Sequence, residues 1–234
     1  MNDSITTVLF DVDGTLVDSN DAHADAWVQA FGEHGVTVNP AAVRRSIGMG
    51  GDKLMPAVSG IEEDTPHGSA IAKRRGEIFK TDFLPTLVAF HSASRLVAAL
   101  HERGMTVVAA SSAKQDELEP LLEIAGAKDV MDGWTSSDDA EESKPEPDIV
   151  HAALRKAGAT PRQAVMIGDT PYDIAAARSA SVRVIAFRSG GWPDGDLAGA
   201  DEIYDGPAEL LARREESMLT VSDRPQWQGP RSAG

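Results

Sequence analysis

Thr7-Val8-Leu9-Phe10-Asp11-Val12-Asp13-Gly14-Thr15-Leu16 runs from four strand-forming residues straight into two carboxylates and a glycine. A short run that is apolar on both faces is the pattern of a strand buried between two layers of helix. Three later runs share it: residues 105–110, 164–167 and 182–187. They alternate with helical patterns, which predicts an α/β fold, a parallel sheet with helices on both faces. The first three strands each end in a polar cluster, at Asp11-Val12-Asp13, Ser111-Ser112 and Gly168-Asp169. In open α/β sheets ligands bind beyond the carboxyl ends of the strands, so the three clusters are expected to converge.

The interval 17–86 breaks the alternation. It holds helical patterns over 20–34, 40–45 and 62–80, with Gly48-Met49-Gly50-Gly51 read as a loop between them and no convincing strand. We read residues 17–86 as a helical domain inserted into a core made of residues 1–16 and 87–214. A helix over 207–214 closes that core, and residues 215–234 are expected to form a flexible C-terminal tail.

The 234 residues carry 22 Lys and Arg against 37 Asp and Glu, a formal net charge of −15. This balance excludes nucleic-acid binding through a general basic footprint and disfavours an anionic membrane surface. No stretch approaches the ~18 apolar residues that span a bilayer, and the first residues form no leader pattern. With no cysteine, disulfides, thiolate catalysis and Cys-ligated metals fall away, and the six histidines lack the spacing of a zinc site. A cytoplasmic protein is the expectation.

Asp11 and Asp13 crowd two negative charges into one turn. Such charges repel unless a cation lies between them, and carboxylate oxygens are the ligands that Mg²⁺ prefers; the plain alternative is an ordinary Asp-Gly turn. Asp169 follows a second strand, with Asp173 one turn into the next helix, where it equally suits a helix cap. Ser143-Lys144-Pro145-Glu146-Pro147 holds a lysine in an extended loop. Ser111 and Ser112 at a helix start suit either an anion or a cap.

Taken in order, these four segments resemble the motifs of the haloacid dehalogenase (HAD) superfamily of phosphotransferases, over residues from about Ile5 to Leu211. The resemblance implies a Rossmann-like core, and the insertion looks like the α-helical C1 cap of phosphoglycolate phosphatases and β-phosphoglucomutases. It implies that Asp11 is a nucleophile forming an aspartyl-phosphate and Asp13 the general acid and base. It also implies Mg²⁺ held by the Asp11 carboxylate, the Asp13 backbone carbonyl and Asp169. Phosphate binding falls to Ser111, Ser112 and Lys144, with Asp173 supporting Lys144. The dehalogenases of the superfamily lack the second carboxylate, so Asp13 points to phosphoester chemistry.

The expected activity is thus a Mg²⁺-dependent phosphatase for a small phosphorylated metabolite, phosphoglycolate or a sugar phosphate first. The alternatives are a β-phosphoglucomutase-like mutase, a phosphonoacetaldehyde hydrolase-like enzyme cleaving C–P bonds, and an inactive HAD-fold binding protein. Substrate contacts are expected from the cap at His23, Lys53 and Arg75, with Asp25, Trp27, Arg44, Arg45 and Arg74 as further candidates. Met49-Gly50-Gly51-Asp52-Lys53 is similar in spacing to the Met-Gly-x-x-Lys of phosphonoacetaldehyde hydrolases. Those enzymes carry a small residue in place of Asp13, so Lys53 is expected as a substrate-contacting cation rather than a Schiff-base lysine. No nucleic-acid or membrane partner is expected, and the chain is expected to be a monomer or weak dimer.

Overall fold

Six parallel strands carry the computed structural model, which describes residues 4–220. They are β1 (Thr7–Phe10), β2 (Thr106–Ala110), β3 (Gly133–Thr135), β4 (Ala164–Gly168), β5 (Arg183–Phe187) and β6 (Glu202–Tyr204). Their order is β3-β2-β1-β4-β5-β6. The sequence run that opened with Thr7 is therefore the centre of the sheet, with Thr7 opposite both Thr106 and Ala164. The strand order reverses between β1 and β4, and the crevice beyond their carboxyl ends is where this topology binds ligands.

The period of two along β1 sends its side chains into two different cores. Val8 and Phe10 pack with Leu96, Val97 and Leu100 of α5 (Ala93–Glu102) and with Leu118, Leu121 and Leu122 of α6 (Gln115–Ile124). Leu9 packs on the other face with Val150 and Ala153 of α7 (Asp148–Ala157) and Ile174 and Ala177 of α8 (Pro171–Ser179). Both faces are covered by helices, as apolar parallel strands require.

Between β1 and α5 the chain forms α1 (Asn20–Glu33), α2 (Pro40–Ser46), α3 (Gly51–Ser59) and α4 (Pro66–Ile78). Helix α4 starts four residues after the expected position. Pro66 favours the first helical turn, and the Thr65 hydroxyl caps it by accepting from Gly68 N at 3.0 Å. Helix α3 was not expected, because Gly50 and Gly51 read as loop; instead Gly50 is the residue before the first turn, and Pro56 lies inside the helix. The edge strands β3 and β6 also went unread, since three residues each show no periodicity. A four-residue helix, α9 (Asp194–Leu197), precedes β6, and α10 (Pro207–Arg213) closes the sheet side.

The expected flexible tail differs from the structure at its start. Leu219 is fully buried in the larger core, Ser217 is buried, and Met218 N donates to Glu202 Oε1 at 2.8 Å. An apolar residue beyond the last helix found a groove, which composition does not reveal; the rest of that tail, residues 221–234, lies outside the described residues. Among the described residues no helix is long and apolar enough to cross a membrane.

The two-core arrangement predicts the effect of shortening the central strand's side chains. Leu9→Ala should cost about 2–5 kcal/mol in urea denaturation, whereas Val88→Ser, at a side chain 62% exposed, should stay within about 0.5 kcal/mol.

Candidate active site

Asp11 continues the ladder of β1 by one bond, its N–H donating to Ile167 O at 2.8 Å, and there the strand stops. The N–H groups of Leu16 and Val17 both turn back to Val12 O, and Gly14 takes a φ of 75°. This turn brings Thr15 and Asn20 against the end of β4. Thr15 Oγ1 donates to Asp169 Oδ1 at 2.8 Å, and Asn20 Nδ2 donates to Asp169 Oδ2 at 2.9 Å. A Cβ on Gly14 or on Gly190 would run into the Asp169 carboxylate, so bare backbone at both positions makes room for it.

Lys144 enters from the loop before α7, after which the peptide bond to Pro145 is cis. Its Nζ lies 2.5 Å from Asp11 Oδ1 and 2.7 Å from Asp173 Oδ1, and no part of the residue is exposed. Asp173 serves two purposes at once. Its Oδ2 accepts from Thr170 N at 3.0 Å and Thr170 Oγ1 at 2.6 Å, capping α8, while Oδ1 faces Lys144.

Burial and neighbouring charges together leave all three of these groups raised, for different reasons. Burial, with Asp173, Asp169 and Asp13 adding to it against the pull of Lys144, pushes the Asp11 carboxyl well above its usual range. Burial and Asp173 likewise push Asp169 up to about 7, against the hydrogen bonds of Thr15 and Asn20. Burial alone would lower the Lys144 ammonium, but Asp11 and Asp173 outweigh it and hold the lysine charged well above its ordinary value.

Asp13 faces a different neighbourhood. Its Oδ1 accepts from Ser19 Oγ at 2.5 Å and lies 2.8 Å from His23 Nε2. Nδ1 of the same ring lies 3.2 Å from Arg75 Nη2. A guanidinium only donates, so Nδ1 accepts and Nε2 carries the hydrogen offered to Asp13. The imidazole stacks on Phe79 with ring centroids 3.9 Å apart. Burial alone would raise Asp13, yet His23, Ser19 and Arg75 hold its carboxyl below the usual range. Arg75 Nη1 in turn lies 2.7 Å from both oxygens of Glu117 on α6.

Asp11, Asp13, His23, Arg75, Ser111 and Ser112 therefore border one small space between the insertion and the core. Ser111 Oγ is used locally, accepting from Ala113 N at 3.0 Å. Ser112 Oγ is buried with no hydrogen-bond partner among the described residues. Lys53 does not border this space: its ammonium pairs with Glu142 at the surface, about a third exposed, and that bond raises its pKa. Spacing alone did not show that a core carboxylate lies nearer to Lys53 than the site does.

Arg44 bonds Asp21 and Gly190 O, Arg45 bonds Asp196, and Arg74 bonds Glu33, while Asp25 is exposed. Trp27 does line the space. Asn20 and Glu117 were missed, because each reads as an ordinary polar residue in the first turn of a helix.

Asp11, Asp169 and Asp173 each offer an oxygen within 4.8 Å of the others, all buried. Hard anionic oxygens in this density suit Mg²⁺, and burial together with the neighbouring carboxylates raises Asp11 and Asp169. The Asp13 carboxylate stands outside this triplet, turned to Ser19 and His23.

The sequence profile of the haloacid dehalogenase-like hydrolases matches residues 8–187. The chain belongs to this family. Among relatives of this HAD-family hydrolase, the Arabidopsis thaliana protein SUPPRESSOR OF QUENCHING 1, chloroplastic, is 32% identical over 79% of the chain, but the match spans only 18% of that protein. A Rhodospirillum rubrum phosphoglycolate phosphatase is 29% identical, with 78% of the chain and 79% of that protein covered. The crystal structure of a hydrolase from Pseudomonas syringae superposes with a TM-score of 0.84 at 27% identity, covering 90% of the chain and 98% of that structure.

Removing the buried cation should be costly to the hydrolase's fold. Lys144→Met leaves Asp11 and Asp173 facing each other unpaired and should cost about 3–5 kcal/mol in metal-free urea denaturation. Lys53→Ala, which loses only a surface pair, should cost about 1 kcal/mol or less in the same assay.

Proposed function

We propose that this hydrolase is a Mg²⁺-dependent phosphatase acting on a small phosphorylated metabolite, with phosphoglycolate and sugar phosphates as the first substrates to test. The observation that carries the reading is the pair Asp11 and Asp13, two residues apart yet held in opposite electrostatic settings. Asp11 faces the cation Lys144 and the carboxylates Asp169 and Asp173; Asp13 faces His23 and Ser19. Two carboxylates in unlike environments can take unlike roles.

In this reading an Asp11 oxygen attacks phosphorus in line, the P–O bond to the leaving alcohol breaks, and an aspartyl-phosphate forms on Asp11. Asp13 gives the leaving oxygen its proton, having taken one up as the substrate's negative charge raises its affinity for it. Asp13, again an anion, then removes a proton from water, which attacks phosphorus and releases Asp11 and inorganic phosphate. Lys144 and Ser112, with Ser111 beside them, bind phosphoryl oxygens; the unpartnered hydroxyl of Ser112 supports this role. The Asp11 carboxylate, the Asp13 backbone carbonyl and Asp169 would hold Mg²⁺, which when bound offsets the charge that an anionic nucleophile and an anionic phosphate present to each other.

Residues 17–86 act as a cap over the core residues 1–16 and 87–214. The His23–Asp13 contact supports this, because it joins α1 to the turn after β1. A closed cap keeps bulk water from the phosphorylated aspartate.

Asp11→Asn should abolish release of inorganic phosphate, by at least about 10³-fold in kcat, while the thermal transition of the protein persists. EDTA should remove wild-type activity and added Mg²⁺ restore it. Turnover that survives both the substitution and EDTA would overturn the mechanism, and isomerised sugar phosphate without net phosphate release would identify a mutase instead.

A further inference from the structure

Beside the catalytic space lies a larger cavity of about 550 Å³, also between insertion and core. The two share Trp27, Gly50, Gly51, Arg75, Ser112 and Ala113 as walls, so they adjoin. Given the phosphatase reading of Asp11, on which this inference rests, the leaving group of a bound ester extends from Asp13 into that cavity.

The charges on its walls decide what fits. Among the described residues Arg75 is the one Lys or Arg that borders both spaces. Both of its terminal nitrogens are engaged, Nη1 with both oxygens of Glu117 and Nη2 with His23, and the guanidinium carbon lies 5.2 Å and 5.5 Å from the Trp27 and Phe79 ring centroids, while Nε is buried without a hydrogen-bond partner among the described residues. Glu117 is nearly fully buried, so little water competes for this bond. The cavity's other cations are exposed to solvent, and one of them is closely paired. Lys80 lies 2.5 Å from Asp116, Lys114 lies 4.0 Å from Glu63, and Lys73 is exposed at the rim.

Carboxylates, by contrast, remain to receive hydrogen bonds. Asp52 at the start of α3 has no ion-pair partner among the described residues, and Glu63 has only the distant Lys114. A carboxylate or second phosphate on the leaving group would meet these charges with no uncommitted buried cation to offset them. Hydroxyl groups would find acceptors and the apolar face of Trp27.

We propose that this cavity selects phosphate esters of polyhydroxylated, non-anionic alcohols, and that Glu117 enforces the choice by keeping Arg75 from the substrate. Specificity here comes from withholding a counter-ion as well as from the contacts offered. Arg75 and Glu117 are positioning residues in this account; neither touches the reacting atoms.

The test is phosphate release by the Mg²⁺-loaded enzyme, compared as kcat/KM across sorbitol 6-phosphate and glucose 6-phosphate on one side, and 2-phosphoglycolate and inorganic pyrophosphate on the other. The wild type should favour the first pair by about tenfold or more, and Glu117→Gln should shift the ratio toward 2-phosphoglycolate by about tenfold, as a freed guanidinium becomes available to an anion. Because the readout is a ratio on one preparation, a general loss of folded enzyme cancels. A wild-type preference for 2-phosphoglycolate or pyrophosphate, or an unchanged ratio in the variant, overturns the proposal while leaving the phosphatase reading intact. Absence of phosphate release from all four compounds overturns both.

Discussion

One ammonium group, out of reach of water, holds together the ends of the sheet's central strands. Lys144 touches Asp11 after β1 and Asp173 after β4, and without it three buried carboxylates would face one another across less than 5 Å. Burying like charges is among the most expensive arrangements a fold can adopt, and it persists only where a counter-charge is built in. The surroundings serve that constraint. Gly14 and Gly190 let backbone approach Asp169, Thr15 and Asn20 supply it with hydrogen bonds, and Thr170 takes up the spare oxygen of Asp173.

The same constraint explains why so much of the site could be read in the sequence. Carboxylates and hydroxyls at the ends of apolar strands are local signals, and β1, β2 and β4 carried them; these three and β5 were visible as runs buried on both faces. What stayed hidden were features without a local signature. Three residues of β3 or β6 have no period to detect, and the two glycines that open α3 imitate a loop. Glu117 and Asn20 gain their meaning from partners 42 and 149 positions away, a distance over which spacing carries no information. Lys53 shows the converse, a motif-like spacing whose side chain pairs with Glu142.

The overall charge of −15 gains a local meaning in the fold. Most of the acids are solvated or paired at the surface, where they contribute little to stability and much to solubility. A few are gathered where the sheet's strand order reverses. There the excess of negative charge creates the demand for cations that a metal and Lys144 can meet.

The loop before Lys144 binds in two directions within three residues. Glu142 holds Lys53 and Ser143 accepts from Gly50 N at 3.1 Å, both on the inserted helices, while the very next side chain grips Asp11. A strap so short has no slack. Any swing of the inserted helices away from the sheet must first unfasten Glu142 and Ser143, immediately beside the lysine that grips Asp11, so movement of those helices and the setting of the Asp11 carboxylate share one mechanical element.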